Sequence, residues 1–152
     1  MDEIRLNTLL EDLILNIEKT VKRAKENLAG VVNNTMTETY WLIGKYIVES
    51  EQNGNIKAAY GSKLLTTLSK ELTLRLGKGY SRPNLNNMRK FYLRYPDYHS
   101  VSDKLSWSHI CELIKIDDDL ERSFYEKEAV SEKWGVRELQ RQMETALFFF
   151  FF

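Results

Sequence analysis

Apolar side chains recur every three or four residues through most of the chain, which is the spacing of one face of an α-helix. Residues 3–28 show it first, with Leu6, Leu9, Leu10, Leu13, Ile17 and Val21. No segment alternates strictly between apolar and polar residues, as a half-buried strand would. Only two prolines and seven glycines interrupt the 152 residues, so long helices are permitted almost everywhere. The sequence therefore predicts an all-α fold, with room for a small β-wing only near residues 97–105.

Cap and breaker residues divide this pattern into seven predicted helices within one domain, residues 1–147. The helices are predicted at 3–28, 31–50, 62–76, 82–95, 106–116, 117–133 and 136–147, and it is left open whether Gly30 separates the first two. Asn53-Gly54 predicts that residues 51–61 form a loop, and Ser62, Ser81 and Ser106 are predicted N-caps. The domain thus divides into N-terminal helices (1–50), a helix-turn-helix (62–95) and C-terminal helices (105–147).

The last five residues, 148–152, are all phenylalanine. An exposed run of this kind promotes aggregation, and no soluble fold requires it. We interpret this tail as a truncation or a sequence-assignment artefact.

Basic side chains are concentrated in the middle of a chain whose formal net charge is zero. Residues 52–104 contain ten basic and three acidic side chains, a net charge of +7, and both flanking segments are net acidic. A neutral protein with one strongly basic segment can present a basic face to nucleic acid. The alternative is a lysine-rich surface that is merely solvated.

The basic segment contains the predicted helix-turn-helix, whose two helices are joined by Gly77-Lys78-Gly79-Tyr80. On the second helix, Leu85, Met88, Tyr92 and Tyr95 form the predicted inner stripe, and Arg82, Asn86, Arg89 and Lys90 fall on the opposite side. Arg and Lys suit phosphates and guanine edges, and Asn suits adenine edges. The candidate nucleic-acid contacts are Lys78, Tyr80, Ser81, Arg82, Asn84, Asn86, Arg89, Lys90 and Arg94. An ordinary helical hairpin with a polar outer face is the alternative.

A second helical pair, 118–133 and 136–147, is joined by Trp134-Gly135. A possible second nucleic-acid site there comprises Trp107, His109, Arg137, Gln140 and Arg141. Two glutamates on the last helix dilute its positive charge, so closing the core is an equally good role for this pair.

No catalytic or metal-ligating constellation is legible in the sequence, and no cofactor is expected. The residues Asp117–Asp119 lack the calcium-loop glycine, because Arg122 stands at the sixth position, and helix capping explains them better. Gly77-Lys78 lacks the other residues of a phosphate loop. His109, beside Trp107, is interpreted as a packing residue.

Nothing in the sequence indicates secretion or a membrane span. Asp2 and Glu3 replace the basic start of a signal peptide, and no apolar run reaches the ~18 residues that cross a bilayer. The single cysteine, Cys111, cannot form an intramolecular disulfide. A cytoplasmic protein is therefore expected.

Six ordered blocks resemble the N-terminal domain of the YhcG-like family: YWLIGKYI (40–47), YG (60–61), GKGYSRPNLNNMRKFYLRYP (77–96), LSWSHICELIKI (105–116), FYEKEA (124–129) and WGVRELQRQM (134–143). The resemblance covers the chain up to about Leu147. It implies a helical, winged-helix-type DNA-binding module that precedes a nuclease-like domain of the PDDEXK superfamily.

The chain departs from that family where it enters the phenylalanine run. No lysine has Glu or Gln two positions before it, so the Glu-x-Lys or Gln-x-Lys pattern of a PDDEXK metal site is missing. We therefore expect a DNA-binding and targeting module without the catalytic domain, with duplex DNA and the family's nuclease domain as partners. The alternative is a protein-interaction or oligomerisation module built on the N-terminal helices.

Overall fold

The computed structural model describes residues 3–27 and 34–151, in which all regular structure is helical. The α-helices are α1 (Glu3–Asn27), α2 (Asn34–Glu51), α3 (Gly54–Tyr60), α4 (Leu64–Leu76), α5 (Arg82–Arg94), α6 (Trp107–Leu113), α7 (Asp119–Ser131), α8 (Val136–Glu144) and α9 (Phe148–Phe151). The all-α prediction is confirmed. The open question about Gly30 lies outside the described residues.

The chain divides into two compact units, residues 1–93 and 94–152. The sequence was expected to form one domain, and that expectation stays a prediction. The two units are described separately below as the first unit and the second unit.

Helix α1 supplies much of the core of the first unit. Its apolar stripe is buried at Leu13, Ile14, Ile17 and Val21, against α2, α3 and α4. Burying each such side chain contributes about 1.5–3 kcal/mol before chain entropy is counted. Arg75 of α4 adds a bidentate contact, with Nη1 and Nη2 at 3.0 and 3.1 Å from the Glu11 carboxylate of α1.

Helices α2 and α5 approach each other closely at Gly44. A Cβ atom at this position would lie 2.0 Å from the Met88 carbonyl oxygen of α5, and 3.2 Å from the Tyr92 Cβ. Trp41 packs edge-to-face on Tyr92 one turn earlier, with ring centroids 5.3 Å apart. The missing side chain at Gly44 therefore sets the depth at which α5 is seated.

The loop predicted at residues 51–61 is wrong, because most of that segment forms α3. Asn53 is its N-cap, and the side-chain oxygen accepts from the backbone N–H groups of Asn55 and Ile56. Ile56 is 3% exposed and fastens the short helix to the core. A tight 3₁₀ turn, Gly61–Lys63, leads directly into α4. Ser62 lies inside this turn, so its predicted role as the N-cap of α4 is also wrong.

The turn between α4 and α5 has the expected form. Gly77 and Gly79 have φ angles of 87° and 107°, which favour glycine because a Cβ is strained there. Ser81 caps α5 by accepting from the Asn84 N–H at 3.3 Å. The Asn84 side chain donates to the Gly79 carbonyl at 2.6 Å, which closes the turn. Residues 64–94 thus form two helices joined by a tight turn, and their assignment as a DNA-binding helix-turn-helix stays a prediction.

Two predicted caps hold in the second unit. Ser106 caps α6 and forms a reciprocal capping box with His109, and Asp118 caps α7 by accepting from the Glu121 N–H at 2.7 Å. The proposed β-wing near residues 97–105 is not formed, because Asp97 caps a 3₁₀ turn at Tyr98–Ser100 and no strand occurs among the described residues.

The core of the second unit contains a charged side chain and reaches into the phenylalanine run. Arg122 is 4% exposed, and its Nη1 donates to the Ile116 carbonyl at 2.7 Å. Phe148 is 7% exposed, its ring lies 5.6 Å from that of Phe124, and its N–H donates to the Tyr125 hydroxyl. Phe148 is therefore a packing residue, whereas Phe149 and Phe150 are 66% and 80% exposed.

Candidate nucleic-acid interface

Helix α5 presents a short polar stripe away from its buried side. Leu85, Met88 and Phe91 are fully buried, and Tyr92, which the sequence placed in the inner stripe, is half-buried. Opposite them, Arg82, Asn86 and Lys90 follow one another at four-residue spacing, so their side chains are neighbours along one face. Among the described residues, the side chains of these three form no hydrogen bond or ion pair within the protein. We call Arg82, Asn86 and Lys90 the α5 stripe.

Ion pairs neutralise only part of the basic middle segment. Arg75, Arg89 and Arg94 are paired with carboxylates. Within the described part of the chain, the other cations of the segment form no ion pair: Lys57, Lys63, Lys70, Lys78, Arg82, Lys90 and Lys104. Among the described residues, all lysines of this segment are therefore unpaired, whereas every arginine except Arg82 is held in an ion pair.

A shallow groove brings hydroxyl groups of α4 together with two of the unpaired cations. Its volume is about 380 Å³, and its lining residues are Thr66, Ser69, Lys70, Thr73, Leu74 and Arg82. We call this the α4 groove. Hydroxyls beside a lysine and an arginine are the groups that proteins use on phosphate and sugar oxygens of nucleic acid. Because Arg82 belongs to both, the α4 groove is continuous with the α5 stripe.

Sequence reasoning missed Thr66, Ser69, Lys70 and Thr73. Their positions repeat at three- and four-residue spacing on the side of α4 opposite the buried Leu64, Leu68 and Leu72. That spacing was the available signal.

Arg89 lies beside the α5 stripe but is held within the first unit. Its Nε donates to a Glu51 carboxylate oxygen of α2 at 2.5 Å, and each side chain is 32% exposed. The pair lines a separate pocket of about 370 Å³ together with Lys57 and Ser62. Glu51 therefore neutralises Arg89, which is one of the four basic side chains of α5 that were predicted to contact nucleic acid.

Four other predicted contacts serve the turn, the core or the second unit. Tyr80 is 4% exposed, and its burial, with a smaller contribution from Tyr40, raises the pKa of the hydroxyl to about 12. Ser81 and Asn84 make the cap and turn hydrogen bonds described above. In the second unit, the Arg94 guanidinium pairs with Asp117 and approaches the Ile114 carbonyl at 3.4 Å. Of the turn residues, only Lys78 is exposed with an unpaired charge.

The second predicted site is mostly committed to internal contacts. His109 Nδ1 contacts the Ser106 N–H at 3.2 Å, and Nε2 lies 2.7 Å from the Trp134 carbonyl, so the ring bridges α6 to the turn before α8. Gln140 donates to Glu112 at 2.9 Å. Arg141 pairs with Glu138 on its own helix, a contact that raises the pKa of Arg141 and lowers that of Glu138.

Trp107 and Arg137 complete that predicted set. Trp107 is half-buried at the first position of α6, and Arg137 is exposed near the start of α8. Arg137 is the member of the set that retains an unpaired charge, as far as the described residues show. Both ring nitrogens of His109 have partners within the second unit, which agrees with its interpretation as an internal packing residue.

Each residue of the acidic run has a structural contact. Asp117 pairs with Arg94, Asp118 caps α7, and Asp119 pairs with Arg122. Across residues 3–27 and 34–151, no three His, Cys, Asp or Glu side chains are grouped so that they could hold a metal ion. No helix in those ranges has the length and apolar character needed to cross a bilayer.

Comparison with known proteins agrees with the family suggested by the motifs. Residues 16–149 match the family described as DUF1016 N-terminal domain. The chain belongs to this family. It is 34% identical over 160 aligned positions to a protein of Escherichia coli (strain K12) named "Putative nuclease YhcG". The alignment covers 84% of this chain and 43% of that relative, so the chain spans less than half of the relative's length. No solved structure matches the chain.

Proposed function

We propose that this DUF1016 N-terminal domain binds duplex DNA and so targets a nuclease domain of the same protein family. The observation that carries the proposal is the continuous surface of the α4 groove and the α5 stripe. It combines three unpaired cations, Lys70, Arg82 and Lys90, with hydroxyl groups and the uncommitted amide of Asn86. The relative's name and the family's N-terminal position support a role beside a nuclease.

The α4 groove and the α5 stripe have different proposed roles, because their side chains differ in chemistry. The hydroxyls and Lys70 of the α4 groove contact phosphate and sugar, which fixes the position of the duplex but reads no sequence. The α5 stripe enters the major groove, where Asn86 can pair with a base edge, and Arg82, which also lines the α4 groove, contacts phosphate. Lys78, in the exposed turn, adds a further phosphate contact.

Catalysis is assigned to a domain outside this chain. The acidic run Asp117–Asp119 and the imidazole of His109 are engaged in a cap, ion pairs and hydrogen bonds. A phosphodiesterase needs a group that activates water and another that stabilises charge on phosphate, usually through bound metal ions. We therefore propose that this chain retards DNA and leaves it intact in Mg²⁺ or Mn²⁺. Cleavage that co-purifies with the chain and disappears in His109→Ala would contradict this.

The oligomerisation alternative is not favoured by the first unit. The apolar stripe of α1 at Leu13, Ile14, Ile17 and Val21 is buried within that unit. Of the large apolar residues of α1, only Ile4 and Leu15 are classed as exposed in the described structure. A concentration-dependent mass of two chains in sedimentation velocity would restore this alternative.

The central experiment is a salt-dependent anisotropy titration of a labelled 20-base-pair duplex. Reversing Lys70→Glu and Arg82→Glu together removes two phosphate contacts and adds two repulsive charges. We expect affinity to fall about 30-fold or more near 50 mM salt, and the slope of log K against log salt to fall by about 2.

The matched control reverses Lys19→Glu and Lys25→Glu on α1. Both are exposed and unpaired among the described residues, so the net charge changes equally at a different place on the first unit. This variant should retain duplex affinity within about threefold. Equal losses in both double variants would show that total charge, and not the α4–α5 surface, governs binding.

A further inference from the structure

The second unit contains a cavity that the proposed DNA surface does not use. It lies between the segment at residues 99–102 and helix α7, and its volume is about 640 Å³. Small-molecule sites commonly measure ~300–1,000 Å³, so this cavity is large enough to hold an organic ligand.

The walls combine an apolar surface with a few polar groups. Val101 and Val130 provide apolar area, and Ser102, Ser123 and Ser131 provide hydroxyl groups. Sites for small molecules are built in this way, because apolar walls supply most of the affinity and a few polar groups fix the orientation.

The distinctive polar group is the carboxyl of Glu126. It is half-buried on α7 and lines the cavity. Burial raises its pKa, and four weaker influences only partly counteract that rise: a hydrogen bond from the Ser102 backbone, the charge of Arg122, the Tyr95 hydroxyl and the charge of Lys127. The carboxylate has thus lost more solvation than its protein neighbours restore, so a cation placed beside it would be bound favourably.

The other charged groups near Glu126 do not favour an anion. Arg122 is 4% exposed and already committed to Asp119 and the Ile116 carbonyl. Tyr95 is 7% exposed, and desolvation followed by the charge of Glu126 raises the pKa of its hydroxyl. Lys127 is exposed, so its long side chain can leave its ammonium in water, and His99 lies at the exposed edge.

We propose that this cavity binds a small organic cation, an amidinium or ammonium group on an apolar body, whose charge pairs with the Glu126 carboxylate. The apolar body lies against Val101 and Val130, and the serine hydroxyls accept the remaining N–H groups. A single carboxylate without further acidic partners suits such a cation better than a metal ion, which would require several ligands. The proposal is independent of DNA binding, since every residue in it belongs to the second unit.

The test is an NMR titration of the isotope-labelled whole chain with benzamidine, at constant ionic strength and pH 7.5. Benzamide is the neutral probe of nearly the same shape. We expect saturable shifts of backbone amides at residues 99–102 and 123–131, with a dissociation constant on the order of 1 mM, as befits nine non-hydrogen atoms. Benzamide should bind at least about tenfold more weakly, because it cannot form the charged pair.

Four variants assign the effect to this cavity. Glu126→Gln should weaken benzamidine binding about tenfold, and Lys127→Ala should strengthen it about twofold by removing a repulsive charge. Glu128→Gln, on the same helix outside the cavity lining, is the matched control and should change nothing. If Glu126→Gln fails to fold, Ser131→Phe at the exposed edge blocks the cavity without touching the carboxyl, and should abolish the shifts.

Three results would overturn the proposal: no saturable shifts at these amides, equal binding of benzamide and benzamidine, or unchanged affinity in folded Glu126→Gln. Shifts spread over the acidic starts of several helices would show only general attraction of a cation.

Discussion

Basic side chains that are held in ion pairs and basic side chains that are not have their clearest examples in different units. In the second unit, Arg94, Arg122 and Arg141 are each paired with a nearby carboxylate, and Arg122 is buried. In the first unit, Lys70, Lys78, Arg82 and Lys90 have no carboxylate partner among the described residues. Each unit contains both kinds, since Arg75 and Arg89 are paired in the first and Arg137 is unpaired in the second as far as the described residues show, but the unpaired cations of the first unit lie together along α4 and α5. Formal charge along the sequence does not separate these two uses.

The largest loss of stability is expected at Gly44, where α2 contacts the backbone of α5, the helix that carries Arg82 and Lys90. Gly44→Ala places a Cβ 2.0 Å from the Met88 carbonyl oxygen, and a backbone atom in a packed helix cannot move aside cheaply. We expect a loss of about 3 kcal/mol in unfolding free energy from this overpacking, measured by urea denaturation. Duplex affinity should fall as well, because α5 is displaced.

Gly54→Ala is the control for that variant. A Cβ atom at Gly54 would have no neighbour within 4 Å, and this glycine does not have a positive φ angle, so alanine fits without strain. We expect an unchanged or slightly higher stability. A Gly44→Ala protein as stable as Gly54→Ala would show that α2 and α5 do not depend on this close contact.

The next effect concerns a cation used for internal structure. Arg122→Ala removes the hydrogen bond to the Ile116 carbonyl, the pair with Asp119 and the packing of the guanidinium over the Tyr95 ring, 5.5 Å from its centroid. We expect a loss of about 2–3 kcal/mol in chemical denaturation, because a buried carbonyl loses its donor and the core loses volume. Asp119 is 92% exposed and regains water, which keeps the cost below that of a fully buried pair.

Arg141→Ala is the matched case, because the Arg141 side chain is 66% exposed and pairs within its own helix. Its loss should change stability by no more than about 0.5 kcal/mol. Both folded variants should bind duplex DNA as tightly as the parent chain. If Arg122→Ala instead lowers DNA affinity at unchanged stability, the contrast between the units is wrong.

These contrasts show which parts of the molecule sequence reasoning can reach. Ser81, Ser106 and Asp118 marked helix starts correctly, because a cap acts on backbone within three residues of itself. Asn53-Gly54 was misread, because the same asparagine chemistry serves both a turn and an N-cap. What decided between them was the burial of Ile56, a contact with distant helices.

The candidate site was reachable to a similar extent. The α5 stripe follows from helical spacing alone, and the α4 groove could have been found from the spacing of its hydroxyls. The Arg89–Glu51 pair joins residues 38 positions apart, so no local pattern reveals it. Tyr80 was assigned to the surface because a turn is usually exposed, yet its ring fills the core.

Arg89 is held in an ion pair, as Arg122 is, but it lies beside the unpaired side chains of the α5 stripe. Changing its partner Glu51 therefore tests the comparison between paired and unpaired cations. Glu51→Gln removes the carboxylate 2.5 Å from Arg89 Nε and frees the guanidinium for phosphate. We expect duplex affinity to rise about threefold near 50 mM salt, and the salt slope to steepen by up to about 1.

Glu49→Gln removes an exposed carboxylate from the same helix without releasing a paired cation. It should raise duplex affinity less than Glu51→Gln does, and leave the salt slope unchanged. Identical behaviour of the two variants would place Arg89 outside the DNA surface and leave the α5 stripe as its whole basic content.

The smallest expected effect concerns Glu126, a half-buried carboxyl of the second unit whose pKa is raised by burial. Burial raises the pKa of Glu126 above its ordinary value of 4.5, so the folded chain holds this proton more tightly than the unfolded chain. Well below pH 4.5 both states are protonated at this position, so this group makes stability independent of pH there and its stabilising contribution is fully present. As the pH rises from there through the raised pKa, the stabilising contribution of the proton is lost, because the unfolded state releases it first.

Glu126→Gln cannot lose a proton, and its amide oxygen can still accept from the Ser102 backbone. The melting temperature of the variant minus that of the parent should therefore grow from near zero at pH 4 to about 2 °C at pH 7.5. Glu128→Gln removes a carboxyl from the same helix outside the cavity, and this matched control should show no such growth. Parallel melting curves for Glu126→Gln and the parent from pH 4 to 7.5 would mean that Glu126 is as well solvated as an exposed carboxyl.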